Sequence, residues 1–192
     1  MLRSYVKAFP RLYFRIFCLS WVNIVLTFNP KVVLAQSVVL PGDNPSQTIV
    51  TQEGNQINIT GGSAVQQNLF HTFQQFNIGT PETVTFDTRS TPAIVNVLAN
   101  VIGGNPSIIN GQLSLIGSSA NLFLINPTGI LFGRNATLNL PGAFTATTAT
   151  SVGFGDQWWN GKTGDYHAFV SAPMGFRFSN SGSIVNDGNL TV

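Results

Sequence analysis

Few side chains in this 192-residue sequence could do acid–base or nucleophilic chemistry, and they are scattered. A nucleophilic serine or cysteine needs a positioned base, yet no Gly-x-Ser-x-Gly elbow occurs and the only histidines are His71 and His167. His71 sits between Phe70 and Phe73 and reads as a packed or capping histidine, while His167 lies in a Gly-rich stretch and reads as a surface residue. Asp165 and His167 lack the third and fourth partners that zinc requires, so no metal site is predicted. Glycoside hydrolysis wants two carboxylates flanking one bond; Asp43, Glu53, Glu82, Asp87, Asp156, Asp165 and Asp187 are dispersed instead. Asp87 and Arg89, two apart in a strand-like segment, share a face and read as a structural ion pair. Gly153-Phe-Gly155 has no strand–loop–helix context, so no cofactor loop is predicted. The sequence therefore predicts no catalytic residue, and what remains is recognition chemistry. Trp158, Trp159 and Tyr166 could stack on sugar rings as a carbohydrate contact, or fasten the segment 151–168 onto the main body.

The clearest local signal is Asn126-Pro127-Thr128-Gly129-Ile130, which stands between the apolar runs 122–125 and 130–132. Asn at the first position, Pro at the second and Gly at the fourth make a type I turn between two strands. Period-2 segments recur at 57–59, 84–86, 113–115, 138–140 and 144–146, each bounded by Gly, Pro or Asn. Residues 36–56 read as a leading strand and turn, broken at Pro41–Pro45. Leu69, Phe70, Phe73 and Phe76 have spacing that suits a helix as well as a strand, and 151–168 reads as an excursion from the main body. Ser107–Leu115 is echoed by Ser183–Val192, as a solenoid that reuses one unit per coil would be. Because the second copy runs to the last residue, the chain is expected to be the head of something longer.

Residues 1–35 have the layout of a secretory signal peptide: Arg3, Lys7, Arg11 and Arg15, then the apolar run 16–26, then Val33-Leu34-Ala35. The apolar run is too short for the roughly 20 residues of a spanning helix. Five of the nine basic residues fall in this segment, so cleavage leaves four basic residues against seven acids, a net charge of −3. No basic stripe then remains, which argues against nucleic-acid binding. The only cysteine, Cys18, lies in the signal, so the mature chain has neither disulfides nor thiolate sites.

Four segments, in order, resemble one family. Leu124–Gly133 (LINPTGILFG) is similar to the "LxNPNGIxFG" motif of the N-terminal secretion domain (haemagglutination activity or TPS domain) of filamentous haemagglutinin-like two-partner secretion exoproteins, with Thr128 where the family usually has Asn. Asn68–Ile78, which includes Asn68, Phe70, His71, Phe73 and Phe76, resembles "NLFHSFxxFNI". Val101–Gly111, with Gly103 and Gly104, resembles "VTGGxxSxIxG", and Leu140–Ala149 resembles "xGxFxASTA". Gly133 closes the first motif, a further Asn-Pro-Asn-Leu motif is absent, and the wording is closest to cyanobacterial versions. The resemblance covers about residues 36–192 and implies an all-β, right-handed parallel β-helix (solenoid) with an N-terminal strand cap and extra-helical β-hairpins. It implies a secretion-targeting and folding-nucleation domain, exported by the Sec translocon and recognised by the periplasmic POTRA domains of an outer-membrane β-barrel transporter. By this resemblance the protein is secreted or held at the cell surface of a Gram-negative-type bacterium, and the turn at Asn126–Ile130 is a recognition or scaffold element. A stand-alone surface adhesin, or a module that binds a host or surface glycan, is the alternative.

Overall fold

The computed structural model describes residues 38–42 and 46–190. The predicted signal peptide and its cleavage site lie outside the described residues, as do Asp43 and Val192. In chain order the strands are β1 (Val38–Pro41), β2 (Thr48–Glu53), β3 (Gln56–Gly61), β4 (Ser63–Val65), β5 (Asn68–Asn77), β6 (Thr83–Asp87), β7 (Asn96–Val101), β8 (Ser107–Ile109) and β9 (Gln112–Ile116). They continue with β10 (Asn121–Ile125), β11 (Ile130–Phe132), β12 (Thr137–Asn139), β13 (Phe144–Thr147), β14 (Ser151–Phe154), β15 (Gln157–Trp159), β16 (Gly175–Arg177) and β17 (Ile184–Asn186). The described residues contain no helix.

These strands wind a parallel β-solenoid of about three turns. The chain visits three sheets in rotation: β6, β7 and β8, then β9, β10 and β11, each strand pairing in parallel with its counterpart one coil earlier or later. Parallel strands of one sheet joined by crossovers of this kind take the right-handed sense. Alternation drives the stacking: Ile57, Val84, Leu113 and Leu138 occupy one inward row, and Leu69, Val97, Leu122 and Phe144 another. Most of these are fully buried in one continuous core, and each such side chain contributes about 1.5–3 kcal/mol of burial. Antiparallel β1, β2 and β4 cover the first coil, on β5, β3 and β5 respectively, forming the expected cap. Capping closes strand edges that would otherwise template other chains.

The ambiguous segment 68–77 is a strand. Its helix-like spacing has two causes. Leu69, His71 and Phe73 face the solenoid core while Phe70 faces outward into a second core, so both faces are apolar. A bulge then skips Gln74 in the pairing with β1 (Leu40 opposite Gln75, Pro41 opposite Phe73), which brings Phe76 back to the inner face three positions after Phe73.

After β13 the chain leaves the solenoid, forms the antiparallel sheet β15–β14–β16, and returns as β17 beside β11. The predicted echo does recur in one sheet, but with a slip. Ile130 pairs with both Ser107 and Ile184, whereas the sequence match aligns Ser107 with Ser183. The returning chain is registered by its backbone bonds to the 126–129 turn rather than by its apolar pair, and this accounts for the shift.

Candidate functional site

Asn126 organises the turn through every polar atom it has, and it is fully buried. Its carbonyl accepts from the Gly129 N–H at 3.1 Å and its Oδ1 accepts from the Thr128 N–H at 2.9 Å, so the turn closes on itself. Its Nδ2 donates to the Asn105 carbonyl at 2.9 Å and to the Ser107 hydroxyl at 3.0 Å, both on the preceding coil. Its own N–H donates to the Thr147 carbonyl on the following coil. One asparagine thus staples three coils. Ile130 enters the core, and Gly129, at φ +134°, passes the returning chain closely enough that a Cβ would lie 3.1 Å from the Ser183 carbonyl oxygen. Thr128 is exposed, and the turn uses its backbone rather than its side chain. Threonine in place of asparagine there leaves the turn's hydrogen bonds intact.

The other motif residues hold neighbouring coils together. Asn68, Asn96 and Asn121 stand in register on β5, β7 and β10 and form a side-chain ladder. The Asn96 amide donates to Asn68 Oδ1 at 3.0 Å, and the Asn121 amide to Asn96 Oδ1 at 3.2 Å. At its far end Asn68 donates to the Phe169 and Ser171 carbonyls and so ties down the excursion. Sequence reasoning singled out Asn68 but missed the ladder. The available signal was Asn before each apolar run, in Asn-Leu-Phe at 68 and 121 and Asn-Val-Leu at 96. Gly103 and Gly133 lie against the Gln74 carbonyl and the Asn110 side chain of the coil below, and Gly104 has φ +80°. Phe73 and Phe76 pack edge-on in the core.

His71 is a packed histidine. It is wholly buried beside Phe73 and Phe86, and its Nδ1 shares a hydrogen bond with the Thr48 hydroxyl of the cap at 3.1 Å. Burial lowers its pKa to about 3, so the ring is neutral near pH 7. Asp87 and Arg89 form the expected ion pair, with Arg89 72% exposed. The hydrogen bond from Arg89 holds the Asp87 carboxyl below its usual range. His167 is exposed, and among the described residues no three potential metal ligands cluster.

The excursion's aromatics do not form a stacking platform. Trp159 and Tyr166 are buried with Phe154 and Phe169 around Phe70, at centroid separations of 4.8–5.7 Å. They fasten the excursion to the outer face of β5, the second of the two roles their types allowed. Trp158 points the other way, half-buried, with the Arg177 guanidinium 3.7 Å from its ring. A cleft of about 430 Å³ separates the excursion from the turn, with Pro127, Thr128, Asn100, Thr150, Asn160 and Lys162 among its walls.

A family model for the TPS secretion domain matches residues 35–189. This chain belongs to the TPS secretion domain family. Filamentous hemagglutinin of Bordetella pertussis (strain Tohama I) is 30% identical over 159 residues, covering 71% of this chain and 4% of that protein. The chain therefore spans only a small part of the length of that curated relative. A TPS secretion domain is a module of a two-partner secretion exoprotein, non-enzymatic in kind, and implies a cognate outer-membrane transporter as partner. Exoproteins of this family are secreted or held at the cell surface in Gram-negative bacteria.

Proposed function

We propose that residues 36–192 are the segment by which the exported protein is selected for passage across the outer membrane, and that residues 1–35 are a cleaved signal peptide read by the Sec translocon. In this reading the chain crosses the periplasm unfolded, is engaged by POTRA domains of the transporter, and folds at the outer surface. The observation that carries the reading is the Asn126–Ile130 turn. Two of its hydrogen bonds are local, so it can exist in an otherwise extended chain, while its remaining bonds lock three coils once folding begins. The alternating apolar residues around it suit strand addition to a sheet edge. Leu138, Phe144 and Ala146 on β12 and β13 pack partly buried against the solenoid core.

The domain acts by recognition and folding rather than catalysis. Binding of a host or surface glycan by the excursion would rest on Trp158 alone, since Trp159 and Tyr166 are buried. The test is export of Asn126→Ala and Pro127→Ala variants from cells that contain the transporter. Both should reach the surface at reduced levels, and wild-type levels for both would remove the turn from the export mechanism. N-terminal sequencing of secreted protein should begin near Gln36; a chain still carrying Arg11 or Trp21 would mean an anchored protein.

A further inference from the structure

Among the strands that gain a partner from a later coil, β11 waits longest. Coil-to-coil pairings elsewhere in the solenoid join residues 22 to 31 positions apart, as in Leu122 with Phe144, Thr83 with Gln112 and the bridge of Ile78 with Ile109. Ile130 pairs with Ile184, 54 positions on, because the whole excursion intervenes. A chain emerging from its N-terminal end therefore exposes the β11 edge well after β8 has covered the other side and well before β17 can arrive.

The strand that finally covers this edge is weakly held. All three residues of β17 are exposed, including Ile184 and Val185, so its attachment is mostly backbone. Gly182 N–H donates to the Pro127 carbonyl at 2.7 Å, Ile130 N–H to Ser183 at 3.1 Å, and Asp187 N–H to Phe132 at 2.9 Å. Elements with few buried apolar contacts open most readily. Beside it, the 126–129 turn already fixes where β11 starts, through bonds that need no other coil. β11 is thus a preset parallel edge whose resident strand is late and exchangeable.

We propose that this edge, from the Pro127 carbonyl to the Phe132 carbonyl, is the strand-accepting site of the export signal. An extended strand of the transporter pairs with it as the chain emerges at the outer surface, and residues 182–187 displace that strand as the domain folds there. The proposal rests on the transporter reading above and adds to it the contact made and the event that ends it. Exchange of one strand for another leaves the number of backbone hydrogen bonds nearly unchanged, so release needs only the arrival of the chain's own β17. Gly182 is the positioning residue of the exchange: a Cβ there would fall 2.7 Å from the Gly129 nitrogen, inside the turn.

The test uses the full chain with a photo-cross-linking phenylalanine derivative in place of Leu131, whose side chain points outward on β11 next to Val185. Cells are irradiated during export, and the transporter is identified as the outer-membrane protein whose deletion stops export. Cross-links to the transporter in exporting cells, replaced by cross-links within residues 182–187 in exported protein, are the expected result. Gly182→Val should prolong the transporter cross-link several-fold. In purified form that variant should bind a fluorescent peptide of residues 181–187 that wild type refuses. Export that depends on the transporter with Leu131 cross-linking only to its own chain, or to a second copy, would overturn this proposal and leave the transporter reading standing. Export that depends on no outer-membrane transporter would overturn both.

Discussion

Asn126→Ala should be among the most destabilising polar substitutions in the domain, and its cost follows from what each lost bond leaves behind. The Ser107 hydroxyl, fully buried, loses the Asn126 donor, and an unsatisfied buried polar group costs about 1–3 kcal/mol. The Oδ1 bond to the Thr128 N–H and the Nδ2 bond to the Asn105 carbonyl lie at exposed residues where water can substitute, so their loss together is worth about 1 kcal/mol. Together these give roughly 3 kcal/mol, a large share of a stability of order 5–15 kcal/mol. A domain of about 150 residues should then melt roughly 6–12 °C lower, at about 2–4 °C per kcal/mol. Urea unfolding followed by β-type circular dichroism measures this directly. Combining it with Ser107→Ala separates the parts: because the double variant leaves no orphaned hydroxyl, it should cost about 1 kcal/mol less than the sum of the singles. A loss below about 1 kcal/mol for Asn126→Ala, or strict additivity with Ser107→Ala, would refute the staple.

Four further outcomes are expected. His71 has a folded pKa of about 3 against an ordinary value of 6.5, so the unfolded state binds the proton first. Its contribution is complete above pH 6.5 and falls by about 1.4 kcal/mol per unit down to pH 3. Unfolding free energies from urea titrations at pH 7 and pH 5 should therefore differ by roughly 2 kcal/mol in wild type and by clearly less in His71→Gln, and an equal pH difference in the two proteins would contradict the buried neutral ring. The Asp87 carboxylate, lowered by Arg89, loses its small contribution in a lower window, as pH falls through its own folded pKa. Trp159→Ala should cost about 3–5 kcal/mol and render the excursion protease-sensitive, whereas Trp158→Ala should change unfolding by less than about 1 kcal/mol. Asn96→Ala strands both neighbours in the ladder and should cost about 1–3 kcal/mol by the same unfolding assay.

Much of this architecture was legible because its rules are local. The Asn-Pro-Thr-Gly turn and the alternation at 57–59, 84–86 and 113–115 specify their own conformations within a few residues. The histidine and the ion pair were readable from immediate neighbours. What escaped depends on which residues the winding brings together. Asn68, Asn96 and Asn121 align only after coils of 28 and 25 residues, an uneven period that hides the repeat. Leu69, Phe70, Phe73 and Phe76 looked helical because the excursion makes the outer face of β5 apolar and a bulge at Gln74 shifts its phase. The tryptophan pair divides because neighbours in a strand point to opposite faces, and only the docked excursion shows which face is covered. The one-residue slip of Ser183–Asn186 comes from backbone bonds to the turn, which no side-chain pattern records.

The central claim is that this TPS secretion domain directs export through a dedicated outer-membrane transporter. The most direct measurement is surface exposure of the full chain, read by protease accessibility on intact cells, with the transporter present and deleted. The account predicts surface-accessible protein only when the transporter is present, and chain retained or degraded in the periplasm when it is absent. Equal surface exposure in both strains would contradict it.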